Sequence, residues 1–237
     1  MKKLLAIILS ALILSTSVAC SSDKENDAPV NEAPDAAIED VVDDETDPEP
    51  ETEEVPEVEE GVLSRGIIDG NTYTSSFTGI EITIPDTWSF ANDEEIAALT
   101  GAGMEVLDIN EFAKYLAENA TIYDMMASEA TTGSNVSICY ENTNITAPGR
   151  NITVEDYAAA ITQTITAQDQ IPYTVGDTGV VTLCGEEYYK VEMTADVSGI
   201  TLSQAYYLRA IDNYMISVIA TAANGVTLAD IEGLFNA

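Results

Sequence analysis

Glu187-Tyr188-Tyr189-Lys190-Val191-Glu192-Met193-Thr194-Ala195-Asp196-Val197 decides the fold. Tyr189, Val191, Met193, Ala195 and Val197 fall on one side of an extended chain, with Tyr188, Lys190, Glu192, Thr194 and Asp196 on the other. The Ser198-Gly199 pair that follows is a two-residue hairpin signal, and Ile200 to Ile211 makes the return strand. Turn signals at Gly185-Glu186 and Asp212-Asn213 extend this into a meander with strands near 178–184, 187–197, 200–211 and 214–223. The run from Tyr214 to Ala222 is apolar on both faces, so it belongs in the middle of a sheet, with helices over at least part of each side.

Working outward, Ile80, Ile82 and Ile84 alternate with Glu81 and Thr83 and end at Pro85, a half-buried strand paired with Thr72 to Phe77. Asn92 with Glu95 caps a short helix that stops at Gly101. A second short helix is expected over Asn110 to Asn119. Thr121 to Glu129 and Asn135 to Asn142 form a hairpin across Thr131-Thr132-Gly133-Ser134. Thr153 caps a helix whose stripe is Val154, Tyr157, Ala158, Ile161 and Ile165. A last helix, capped by Thr227, offers Leu228, Ile231, Leu234 and Phe235. The expected fold class is α+β, an antiparallel β-sheet flanked by helices, over residues 71–237. A domain of that size buries about 68–70% of its unfolded surface and folds without metal or disulfide.

Asn71-Thr72-Tyr73, Phe77 with Gly79-Ile80, Ile84-Pro85-Asp86-Thr87-Trp88 and the Thr131-Thr132-Gly133-Ser134-Asn135 turn resemble PsbP-like domains, α/β/α sandwiches found in lipoproteins of Gram-positive anaerobes. The resemblance covers Asn71 to Phe235. It implies an accessory or protein-binding module, not an enzyme, and it maps no functional site onto this chain.

The N-terminal region carries a different signal. Lys2 and Lys3 precede an apolar run from Leu4 to Leu14 and small residues from Ser15 to Ala19, a secretory signal peptide over 1–19. Ser17-Val18-Ala19-Cys20 resembles the bacterial lipobox, although Leu is usual where Ser17 stands. That resemblance implies a diacylglycerol thioether on Cys20, cleavage before it, and a chain held on the outer face of the cell membrane. Ser17 and Ala19 also satisfy ordinary signal peptidase, which would leave a freely secreted protein.

Residues 20–70 are an acidic linker. From Ser21 to Val62 there are 18 acidic residues against Lys24 alone, and five of the chain's eight prolines lie between Pro29 and Pro56. No aromatic occurs before Tyr73, and the aliphatics keep no period, so composition predicts disorder. The stretch Ser21 to Asp69 has a flexible reach of about 35–42 Å, which self-repulsion extends. A diffuse cation sponge is the alternative to a tether, but no Ca2+-binding loop pattern is present.

The net charge is −34 and there is no His. Phosphate backbones are repelled, which argues against nucleic acid. His-dependent hydrolysis and His-ligated zinc are excluded, and no metal or cofactor is expected. Acid pairs at Asp93-Glu94-Glu95 and Glu186-Glu187 read as caps and turns rather than glycosidase chemistry.

Two groups of residues remain as candidate sites. Cys139 and Cys184 could form a disulfide outside the cytoplasm, or could be two inert buried thiols. The Ser198-Gly199 turn sets Tyr188 opposite Arg209 and Lys190 opposite Tyr207 on one sheet face. This patch could bind an anionic or carbohydrate ligand, or could be internal cation–π and ion-pair packing. The expected function is a non-catalytic, membrane-anchored monomer presenting an interaction domain to an envelope protein. A small-ligand receptor stands as the alternative, with an extracytoplasmic enzyme third.

Overall fold

The structure, a computed structural model, describes residues 63–100, 120–168 and 171–236. The expected signal peptide, Cys20, most of the expected acidic linker and the helix expected over Asn110 to Asn119 lie outside the described residues.

The chain is α+β. Strands β1 (Ile67–Asp69), β2 (Thr72–Ser75) and β3 (Ile80–Thr83) form a small antiparallel sheet in that order. Seven more strands form the large sheet: β4 (Trp88–Phe90), β5 (Thr121–Glu129), β6 (Asn135–Asn142), β7 (Thr174–Leu183), β8 (Glu186–Val197), β9 (Ile200–Ile211) and β10 (Tyr214–Ala222). Their spatial order is β4-β5-β6-β10-β9-β8-β7, antiparallel throughout. The helices are α1 (Asp93–Thr100), α2 (Thr143–Thr146), α3 (Val154–Thr166) and α4 (Leu228–Glu232).

The apolar run from Tyr214 becomes the central strand β10, buried along nearly all its length. On one face Met215 and Ile219 pack with Tyr123, Val191, Met193 and Tyr206 beneath α3, whose Tyr157, Ala158, Ile161 and Ile165 face inward as the stripe requires. Thr153 caps this helix by accepting from the Asp156 N–H at 3.1 Å. On the other face Ile216 and Val218 pack with Tyr140, Tyr207, Tyr73, Ile80, Ile82 and Ile231. Each fully buried aliphatic side chain of this kind contributes about 1.5–3 kcal/mol.

Helices cover at least part of each face, as expected, and a second sheet adds to the cover. Helix α3 covers the first face, and the second is covered by the three-stranded sheet together with α4. The hairpin expected at Thr72 to Ile84 is therefore a separate layer and not a pair of strands in the main sheet. Strand β1 pairs with β2 through Ile67↔Thr74, so strand pairing is present ahead of the boundary expected at Gly70.

Two local details also differ from expectation. The β7–β8 turn is Cys184-Gly185, one residue earlier than expected, with φ of 51° and 78° at the two positions. Gly at the second position suits this left-handed pair, and Cys184 tolerates the first. Helix α4 stops at Glu232, the chain turns through Gly233 and Leu234, and Phe235 then bridges Ile82 while the Asn236 N–H donates to Glu81 O at 3.0 Å. Leu234 and Phe235 thus reach the core from beyond the helix.

Candidate functional site

The expected register is present. Lys190 pairs with Tyr207 across β8 and β9, and its Nζ lies 5.4 Å from the Tyr207 ring centre. The Arg209 guanidinium lies 5.8 Å from the Tyr188 ring centre. The sequence did not place the acidic partners. Lys190 Nζ contacts Glu192 at 2.5 Å and Glu232 of α4 at 2.6 Å, and Tyr207 Oη donates to the same Glu232 oxygen. Arg209 bonds Thr78 O at 3.1 Å and Glu186 at 2.8 Å. Both cations are thus engaged by internal acceptors, and both tyrosines are buried. Burial pushes the Tyr188 hydroxyl up to about 12 despite the nearby Arg209. Burial also works to raise the Glu232 carboxyl, but donation from Lys190 and Tyr207 and the Lys190 charge bring it below its usual range.

Beside this patch is a cleft of about 280 Å³, lined by the β7–β8 turn, Lys190, Tyr207, Glu232 and the C-terminal Phe235 and Asn236. Cys184 sits at its wall. The disulfide alternative is corrected here, because Cys139 and Cys184 are both free. Cys139 belongs to the core beneath α3, whereas Cys184 packs against the opposite core, beside the small sheet. The sheet therefore separates the two thiols. Burial pushes the Cys139 thiol up to about 12 and raises Cys184 as well, which keeps both protonated at neutral pH.

A second cluster escaped the sequence reading. β5 carries a bulge between Tyr123 and Met125, and Asp124, the residue left over there, faces the same core as Ile122 and Met125. This carboxylate is buried and accepts from Tyr73 Oη, from Tyr140 Oη at 2.7 Å and from the Gly66 N–H. Arg65 lies 3.9 Å away and forms a two-pronged pair with Asp93 in the first turn of α1. Burial raises the Asp124 carboxyl, with the hydrogen bonds and Arg65 opposing it. The Arg65 pair holds Asp93 low. Gly66 is required by proximity, since a Cβ there would fall on the Tyr73 ring. The cluster thus fastens Arg65 and Gly66 to the large sheet at its β5–β6 side.

One sequence signal could have found Asp124. The apolar residues of β5 do not keep one parity, since Ile122 stands an odd number of positions from Met125 and Ala127, and a parity switch within one strand marks a bulge; the structure places all three in one core. Asn92 and Glu95 form the expected reciprocal cap, at 2.9 Å in each direction. The acids Asp93-Glu94-Glu95 are accordingly the first turn of α1.

No family model matches the chain, and no curated protein matches it. Among solved structures, the solution structure of cyanobacterial PsbP (CyanoP) from Synechocystis sp. PCC 6803 is similar with a TM-score of 0.41 and 11% identity, over 70% of this chain and 90% of that one. A crystal structure of a protein from Bacteroides thetaiotaomicron VPI-5482 aligns with a TM-score of 0.36 and 11% identity, over 72% of this chain and 49% of that chain. The chain thus spans about half the length of the Bacteroides protein. Similarities of this size carry no argument about activity or partners.

Proposed function

We propose that the chain is a lipoprotein, anchored through Cys20 on the outer face of the cell membrane, which displays a non-catalytic, PsbP-like interaction domain on an acidic tether. The observation that carries this reading is the fastening of the domain's entry point. The chain arrives from the acidic stretch at Leu63, and within three residues it is pinned by Arg65 to Asp93 and by the Gly66 N–H to buried Asp124. Pairing of β1 with β2 follows at once. A tethered domain needs a firm attachment where tether becomes fold, because any load on the tether arrives there first. Multi-chain lipid anchors hold stably, at about 0.8 kcal/mol for each buried CH2.

The test is fractionation of cells carrying the full chain or Cys20→Ser. The wild type should sediment with membranes and the variant should be released. Retention of Cys20→Ser in the membrane fraction would sink the anchor. Crosslinking in intact cells with the domain at its anchor should then recover a defined envelope protein.

The cleft beside Lys190, Tyr207 and Glu232 favours a second reading, a receptor for a small ligand. Its volume of about 280 Å³ falls just below the range of about 300–1,000 Å³ usual for ligand sites. A small molecule recovered with the purified chain, and lost in Glu232→Gln, would promote that reading.

A further inference from the structure

The two edges of the large sheet are unlike. β4 is three residues long, with Trp88 and Phe90 partly buried against the core. β7 is ten residues long, and only Leu183 is buried. No backbone hydrogen bond from a turn, loop or terminus reaches residues 174–183 among the described residues. Proteins usually blunt a long edge with lysines, prolines or bulges. Here a bulge lies between Val175 and Thr178, but Thr178 to Leu183 continues without a charge, a proline or a further register shift.

The turn sets which groups are free. Leu183 and Glu186 flank the two-residue turn as the pair that closes the hairpin. Antiparallel pairs alternate in hydrogen bonding, so Val181 and Gly179 bond inward to β8. Thr178, Val180 and Thr182 turn their N–H and C=O groups to the open edge. Their side chains share one face with Tyr189 and Glu187, which pair with Val180 and Thr182. Val180 is 65% exposed, the most exposed large apolar residue described.

We infer that the outer edge of β7, from Thr178 to Thr182, binds an extended segment of a partner protein by strand addition, and that this segment carries lysine or arginine at its ends. The inference rests on the reading of the domain as an interaction module. Backbone pairing supplies affinity, and side chains on alternate positions supply selectivity. Charge selects the occupant. Asp177 stands at one end of the open stretch and Glu187 at the other, both exposed. From Leu63 onward the chain holds 24 acidic residues against Arg65, Lys114, Arg150, Lys190 and Arg209. A second copy of the domain, or the chain's own acidic linker, would bring like charges together along the seam. A basic strand meets complementary charge at both ends.

The experiment uses the full chain in detergent and a short peptide of alternating threonine and valine with lysines at both ends. Hydrogen exchange at Thr178, Val180 and Thr182 should slow about tenfold or more on adding peptide, while Gly179 and Val181 change little. Val180→Pro removes one outward N–H and spares the bonds to β8, and it should weaken binding about tenfold or more. Val180→Lys, which keeps the backbone intact, should weaken the same peptide comparably by repulsion. A glutamate-ended peptide should bind at least about tenfold more weakly at low salt, the difference shrinking as salt rises. Unchanged exchange at these amides, or binding by the Pro and Lys variants as tight as that of the wild type, overturns the site. Equal binding of both peptides overturns the basic partner, and concentration-dependent protection without peptide would make a second copy the occupant. Each readout is independent of Cys20→Ser fractionation, so the edge and the anchor fail separately.

Discussion

Asp124 and Glu232 are two solutions to one problem. Each carboxylate receives a tyrosine hydroxyl, each has a basic side chain nearby, and each fastens a peripheral segment to the same face of the large sheet. They differ in water. Asp124 is wholly buried, its nearest cation stands 3.9 Å off and is committed to Asp93, and its carboxyl is pushed up. The Glu232 side chain is 36% exposed, touches Lys190 at 2.6 Å and is pulled down. With the same residue types, burial decides the sign. At Asp124 the charge is a cost that three donors offset, whereas at Glu232 the charge itself binds, weakened by solvent.

The largest effect is expected at the buried member. Asp124→Leu strips Tyr73 and Tyr140 of their acceptor inside the core, and it should cost about 3–5 kcal/mol in urea unfolding. A loss below about 1 kcal/mol would mean that water or a shifted side chain replaces the carboxylate, and the contrast with Glu232 would collapse. Gly66→Ala comes next, at about 1–3 kcal/mol, since its methyl group displaces the Tyr73 ring from Asp124. The two changes disturb one cluster, so the double variant should lose less than the sum of the singles. Strict additivity would show that Gly66 acts on the backbone alone.

The contrast also separates what the sequence could show from what it could not. Lys190 and Tyr207 were legible because one turn, Ser198-Gly199, sets a register that every later pair must follow. Glu232 was not, because α4 docks through Leu228 and Ile231, and no period tells where a short capped helix meets a distant strand. Asp124 was hidden differently. In Thr121 to Glu129 it reads as one polar residue in an alternating strand, and the bulge that gathers Ile122, Asp124, Met125 and Ala127 onto one core shows only in the pairing register. Cys139 sits on a well-placed strand, whereas Cys184, expected at a strand end, falls in the turn that moved by one residue. The β1 strand was lost because Ile67-Ile68-Asp69 follows a long acidic stretch whose composition outweighed three residues. Local pattern and turn chemistry are read from the chain, whereas docking between layers depends on shapes that exist only after folding.

The smallest effect is the most discriminating, because its sign is fixed in advance. A group whose carboxyl is raised on folding keeps its proton longer in the native state, so stability falls as pH rises. Asp124 therefore contributes most below the ordinary carboxylate value of 3.8, and its contribution declines as pH climbs through its higher native value. Glu232 is lowered on folding, so its contribution is present above the ordinary 4.5 and is lost as pH falls through its native value. The stability difference between wild type and Asp124→Asn should thus decrease with pH, while that between wild type and Glu232→Gln should increase. For Glu232→Gln the plateau should stay below about 1 kcal/mol, because a half-exposed pair is screened. Added salt should shrink the Glu232 difference and leave the Asp124 difference nearly unchanged, since a Debye length of about 3 Å at 1 M reaches the exposed pair and not the buried one. Two slopes of the same sign would show that burial does not distinguish the clusters, and that Lys190 and Arg65 act alike on their carboxylates.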